Sequence, residues 1–140
     1  MTFTVIGLPG PQGSKRFVGR ARSSRGILVE SSAKVKPWRE AVRWTALEAI
    51  ADKKIRFTGA VEVSMIFTLP KPKSASKCAS ASKRPDLSKL VRSTEDALTD
   101  SGIWEDDARV IRCFSEKHYA GSSNALNVPG CVIRIAAVSQ

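Results

Sequence analysis

No run in the chain approaches the ~18 consecutive apolar residues of a membrane span. The opening MTFTVIGLPG has neither the charged nor the apolar region of a signal peptide, so a soluble, cytoplasmic protein is expected. No basic amphipathic helix stands out, which argues against a membrane-surface partner. The cysteines Cys78, Cys113 and Cys131 are far apart, odd in number and form no CxxC pair, and so point to neither a disulfide framework nor a zinc site. No internal repeat is visible. Gly10, Gly13, Ser14 and Lys15 fail as a P-loop, which needs Gly-Lys-Ser/Thr at a helix start; here a Pro-rich turn and an inverted Ser-Lys stand in its place. No nucleotide cofactor is expected. RNP, KH and OB signatures are also missing, which disfavours a basic RNA-binding domain.

What the chain has is positive charge. With 23 Lys and Arg against 13 Asp and Glu, a net charge of +10 and a pI near 10.0, it is built to meet a polyanion, and nucleic acid is the leading candidate. Its 140 residues, 42% of them apolar, are enough for one domain with a real core. The acids are unevenly spread. Residues 84–109, RPDLSKLVRSTEDALTDSGIWEDDAR, hold seven of the 13: Asp86, Glu95, Asp96, Asp100, Glu105, Asp106 and Asp107. Such a knot between basic flanks suits an enzyme that holds a metal ion with carboxylates and phosphates with Lys and Arg. It equally suits a surface helix whose acids balance neighbouring charge.

Periodicity places these residues on elements. Residues 2–8 read as a strand ended by Pro9-Gly10-Pro11. A phosphate-gripping loop over 12–25 follows, with Lys15, Arg16, Arg20, Arg22 and Arg25 and no acid. A short strand is expected at 27–30. Next comes a helix capped by Ser31 or Ser32, with Pro37 in its first turn, running to about Ala51. Val35, Trp38, Val42, Thr45, Ala46, Ala49 and Ile50 form its buried face, and Trp38 and Trp44 are read as packing residues. Val61, Val63, Met65 and Phe67 alternate with Glu62, Ser64, Ile66 and Thr68 in a strand stopped by Pro70. Residues 71–84, KPKSASKCASASKR, carry five cations and read as a mobile basic loop with nothing to bury.

After Pro85, Leu87, Leu90, Val91, Thr94, Ala97 and Leu98 recur at helical spacing as far as a stop at Gly102. Asp86 falls at the N-cap, where its carboxylate would accept backbone N–H bonds. Ser88, Arg92, Glu95, Asp96 and Thr99 make the polar face. Two strands, 110–117 and 130–138, complete the chain. The expected fold is a single α+β domain over 1–140, a mixed or mostly antiparallel sheet packed with two helices in the order β-β-α-β-α-β-β.

Four short motifs then carry a resemblance: Pro85-Asp86-Leu87-x-x-Leu90, Asp96-Ala97-Leu98-Thr99, Gly102-Ile103-Trp104 and Asp106-Asp107-Ala108-x-Val110. Together they resemble the RusA family of crossover junction (Holliday junction) endodeoxyribonucleases. The likeness is strongest over 84–110 and extends more weakly to the Leu-Pro-x-Pro turn at 8–11. It implies a homodimer, dependent on Mg²⁺ with Mn²⁺ as the alternative ion, that nicks four-way junction DNA in pairs. The family pattern D-x-D-N-x-x-K, D-A-L, D-D makes Asp86 the first catalytic acid and Asp107 the later one. Asp86, Asp106 and Asp107 become the implied metal ligands. Ser88 stands where the second acid is expected, Lys89 where the Asn is, and Arg92 where the Lys is.

Arg keeps the charge of that Lys with a different geometry, whereas a serine hydroxyl is a much poorer Mg²⁺ ligand than a carboxylate. The catalytic set on this reading is Asp86, Ser88, Arg92 and Asp107. The junction arms would be held by Lys15, Arg16, Arg20, Lys73, Lys77, Lys83, Arg84 and Lys89. A non-catalytic protein that binds junctions or duplex DNA is the alternative.

Overall fold

The computed structural model describes residues 1–13 and 22–139. Its elements are β1 (Thr2–Ile6), α1 (Arg22–Lys53), β2 (Val61–Leu69), α2 (Leu87–Ser101), a 3-10 turn (Asp107–Arg109), β3 (Val110–Tyr119) and β4 (Gly130–Ala137). The strands form one mixed sheet in the order β1-β4-β2-β3. β4 runs antiparallel to β1 and β2, and β3 runs parallel to β2 as an edge.

The α+β class and the two helices match the expectation. The strand at 27–30 does not, because those residues lie inside α1, which begins at Arg22 and carries Pro37 in its interior. Ile27, Leu28 and Val29 are too short an apolar run to distinguish a strand from a helical segment. Neither Ser31 nor Ser32 starts the helix, and Arg22 and Arg25 belong to α1 and not to a loop. Residues 14–21, with Lys15, Arg16 and Arg20, lie outside the described residues.

Alternation in β2 does what the pattern requires: Val61, Val63, Met65 and Phe67 are buried, while Glu62, Ser64 and Ile66 look to the other face. Trp38, Val42, Ala46 and Ile50 of α1 and Leu90, Ala97 and Leu98 of α2 join that buried face, with Ile133 and Ile135 of β4. Trp38 Nε1 donates to Thr94 Oγ1 at 3.1 Å, linking the two helices through the core. Its partner in expectation, Trp44, is 59% exposed, with the Arg43 guanidinium 5.6 Å from its ring centre.

Two loops are pinned to this frame. Gly10 passes so close to α1 that a Cβ there would overlap the Lys34 carbonyl oxygen and lie 2.9 Å from Val35 Cα. The basic loop at 71–84 has more to bury than its composition implies: Ala81 is buried, and Ala75 and Ala79 pack against the core. Turns closed by Ala75 N–H to Pro72 O and by Ala79 N–H to Ser76 O shape it, and its five cations remain exposed.

Candidate active site

α2 begins where Pro85 ends the loop and stops where Gly102 takes the left-handed conformation, φ 78°, open to glycine without strain. Asp86 is the N-cap by backbone, its carbonyl accepting from Lys89 and Leu90 N–H at 3.1 Å each. Its carboxylate, however, makes no capping bond. This differs from the expected cap; among the described residues, the cation paired with those oxygens is Lys89 Nζ at 3.6 Å. Beneath this point Lys117 of β3 donates to Lys83 O at 2.7 Å and to Pro85 O at 2.8 Å.

The return from α2 is built by its own motif. Trp104 is buried, and its Nε1 donates to Thr99 Oγ1 at 2.8 Å. Phe57 N–H reaches Ile103 O at 2.8 Å, and Arg56 reaches Gly102 O at 2.6 Å. This anchored turn delivers Glu105, Asp106 and Asp107 to the head of β3. Asp106 caps the 3-10 turn, its Oδ1 accepting from Ala108 N–H at 2.8 Å.

The acids interact. The Ala108 N–H bond, followed by a hydrogen bond with Asp107, holds the Asp106 carboxyl below its usual range. Asp107 is pushed up, first by that shared hydrogen bond and then by partial burial and the charges of Asp106 and Asp96. Glu95 is pushed up by burial and by the charges of Asp107 and Asp96. The Cys113 thiol of β3 is raised by burial and by Glu95. Thus Asp106, Asp107, Glu95 and Asp96 form one electrostatic neighbourhood against the middle of α2.

Asp86 lies apart, ~13 Å along the helix axis from Glu95. The same interval separates Cys113 from Lys117 along β3, ~13 Å at strand rise. α2 therefore lies antiparallel over the edge strand, with Cys113 near its middle and Lys117 near its start. Ser88 and Arg92 are exposed on the helix between these two ends. Lys83, Arg84 and Lys89 are exposed next to Asp86 in the chain, and Lys73 and Lys77 are exposed earlier in the same loop. Gln12 N–H donates to Lys89 O at 3.1 Å, so the stretch leading to Lys15 also reaches the first turn of α2.

Carboxylate oxygens are the hard donors that Mg²⁺ prefers, and the charge of Asp106 disfavours ionisation of Asp107, a repulsion that a cation would relieve. Among the described residues no three His, Cys, Asp or Glu side chains converge on one point. Mg²⁺ commonly uses one or two carboxylates and completes its shell with water and substrate phosphate, so the donor set suits the ion without a protein cage. A shallow depression of about 370 Å³ on the open sheet face, between Arg112, Phe114 and Arg134, contains none of these acids.

Two residues went unassigned in the sequence. Glu95 is visible on the polar face, two turns too far along to replace the acid missing at 88 as a ligand, and its place beside Asp107 depends on another element. Lys117 read only as the end of a strand; the available signal is that it takes the core-side register opposite Phe67, where an apolar residue is expected.

No curated protein matches the chain significantly. The sequence profile of the family described as Endodeoxyribonuclease RusA matches residues 9–129, from the Pro9 turn through both acidic ends of the site to the residue before β4. The chain belongs to the RusA endodeoxyribonuclease family.

Proposed function

We propose that the chain is a Mg²⁺-dependent endonuclease that recognises four-way junction DNA and resolves it by paired nicks as a homodimer. The observation that carries this reading is the neighbourhood of Asp106, Asp107, Glu95 and Asp96 on α2 and at the head of β3, in a chain of net charge +10. On the family pattern Asp86, Asp106 and Asp107 would hold Mg²⁺, with Mn²⁺ as the substitute; Asp106 and Asp107 already stand together, and Asp86 would have to close on them when the ion and DNA bind. When bound, the ion supplies positive charge to the phosphoryl oxygens and makes water a better nucleophile.

The chain's own groups do the remainder. In the hydrolysis, a water oxygen bonds to phosphorus, one P–O ester bond breaks, and the departing oxygen takes up a proton. Asp107, as a ligand of the ion, would fix where the attacking water stands, and the water's proton passes to solvent. Arg92, exposed between the two ends of the site, offsets charge growing on phosphorus and on the leaving oxygen. Lys15, Arg16, Arg20, Lys73, Lys77, Lys83, Arg84 and Lys89 bind the arms. A junction with two-fold symmetry calls for two identical sites, which isologous pairing of two copies provides.

Ser88 favours a second reading, a protein that binds junctions or duplex without cutting, because one carboxylate of the family pattern is missing. One experiment separates them. Labelled four-way junction and linear duplex are incubated with Mg²⁺ or EDTA and resolved on denaturing and native gels. Paired nicks that require Mg²⁺ and vanish in Asp107→Asn support the nuclease. Tight, salt-sensitive binding with no nick under Mg²⁺ or Mn²⁺ supports the binding protein.

A further inference from the structure

We infer that Lys117 is a positioning residue that fixes Asp86 for its part in the site, an inference that rests on the nuclease reading above. Lys117 stands on the core side of edge strand β3, opposite the fully buried Phe67. Its ammonium meets no carboxylate within 4.0 Å among the described residues. It donates instead to the carbonyls of Lys83 and Pro85, at 2.7 and 2.8 Å. These two peptides flank Arg84 and lead directly into Asp86.

On the other side of Asp86, its own carbonyl is held by the first turn of α2 through Lys89 and Leu90 N–H. Asp86 is thus gripped before and after its Cα, while its carboxylate is left without a capping bond. A backbone fixed at both ends and a carboxylate not spent on capping is the arrangement a metal-ligating or phosphate-facing acid needs. An inward lysine on an edge strand also discourages pairing with another sheet. That role needs only charge at the edge, whereas Lys117 has both bonds directed into one loop. Two of its three N–H donors are used, and the unbalanced charge remains one peptide away from Asp86, where it favours an anionic substrate.

The test uses the full chain as wild type, Lys117→Met and Lys117→Arg. Two quantities are read: hydrogen exchange at the Lys89 and Leu90 amides, and the Mg²⁺ concentration giving half-maximal nicking of a labelled four-way junction. In Lys117→Met both should rise by about tenfold or more, the scale on which outer-shell partners of a metal site act. The junction KM should stay within about twofold, because substrate binding as such is not removed. Exchange at the core amides of Met65 and Ile133 should not change. Lys117→Arg, which keeps the charge and donors, should recover most of both effects.

Wild-type exchange and Mg²⁺ requirement in Lys117→Met overturn the inference. So does protection lost equally across the core or failure of that variant to fold, which would make Lys117 a general packing residue, and so does an Arg variant as defective as Met. A wild type that nicks with neither Mg²⁺ nor Mn²⁺ overturns the nuclease reading instead. The exchange measurement, which needs no cleavage, then decides whether Lys117 holds the Asp86 segment.

Discussion

Glu95 lies beside Asp107, and after burial the charge of Asp107 is the main cause that keeps the Glu95 carboxyl protonated to higher pH. Glu95 is also two helical turns beyond Ser88 on the stripe of α2 that carries Arg92. An acid half-buried against other acids is held against its electrostatic preference, as functional carboxylates often are. The expectation is that position 95 supplies part of the negative charge missing at position 88. Glu95→Gln should lower Mg²⁺-dependent junction nicking by about 10–100-fold with little change in junction affinity. Ser88→Asp should raise nicking and restore part of the loss in the double variant. A Glu95→Gln rate equal to wild type would remove Glu95 from the site.

The pH dependence of nicking follows from the same shifts. Asp107 and Glu95 are raised and Asp106 is lowered, so on acidification Asp107 and Glu95 take up protons first. Activity that needs their ionised forms should fall on an acid limb lying above the ~3.9 of an isolated aspartate. Asp106 is the leading cause of the raised Asp107, through a hydrogen bond and repulsion. In whatever activity Asp106→Asn retains, single-turnover rates against pH should show that limb displaced toward lower pH. A limb that stays put would mean that Asp107 does not set it.

Stability should move in the opposite sense to activity. For an acid whose folded value lies above its unfolded one, the folded state binds more protons. Its contribution is therefore favourable at low pH and is lost as pH rises through the folded value. Glu95 has an ordinary value of 4.5 and is raised in the fold, so at neutral pH its charge opposes folding. Glu95→Gln should therefore melt slightly higher than wild type at pH 7, by no more than about 2 °C after solvent screening. The gain should vanish as pH falls below the carboxyl range, which melting curves at pH 3.5 and 7 would reveal.

The strands and α2 were legible because their signals are local: alternation in Val61–Leu69, and Pro85 and Gly102 bracketing an apolar stripe. The short run at Ile27–Val29 misled because three apolar residues carry no period, and the chain continues there as helix. Asp86, Asp106 and Asp107 were assigned to the candidate site by motif, each at a sequence-marked boundary. The pairing of Glu95 with Asp107 and the grip of Lys117 on the carbonyls before Asp86 depend on how α2 lies over β3. No spacing within one element encodes that placement. The missing cap bond of the Asp86 carboxylate was equally hidden, because cap preference is a property of position and not of the bond actually made.

Gly10 offers a test of the crossing that ties the chain after β1 to both helices. A methyl group there would overlap the Lys34 carbonyl and press on Val35, both backbone atoms of α1 that cannot rotate away. It would also disturb the bond that Ser93 Oγ donates to Gly10 O at 2.6 Å. Gly10→Ala should destabilise the fold by about 1–3 kcal/mol, the usual scale of overpacking. Gly59→Ala, where a Cβ meets nothing within 4 Å, is the control and should lie within about 0.5 kcal/mol of wild type. Chemical denaturation of both variants makes the comparison; equal stabilities would mean that the Gly10 crossing adapts without cost.

The exposed cations of the loop before α2 should act on DNA affinity and not on chemistry. Lys73, Lys77 and Lys83 are exposed, whereas Ala81, with Ala75 and Ala79, fastens the same loop to the core. Removing the charges should therefore leave the loop in place. Each Lys→Ala that loses a phosphate contact should reduce the slope of log affinity against log salt by ~0.9 for duplex arms, through one fewer counterion released. It should weaken junction and linear duplex alike, because phosphate contacts carry no sequence information. The single-turnover nicking rate at saturating DNA should remain near wild type. Lys83→Ala isolates the side chain in the same way, because Lys117 holds residue 83 through its backbone carbonyl, which the substitution retains. Competition binding at several salt concentrations, paired with single-turnover rates, separates the two quantities. An unchanged salt slope in the triple variant would take this loop out of the DNA interface.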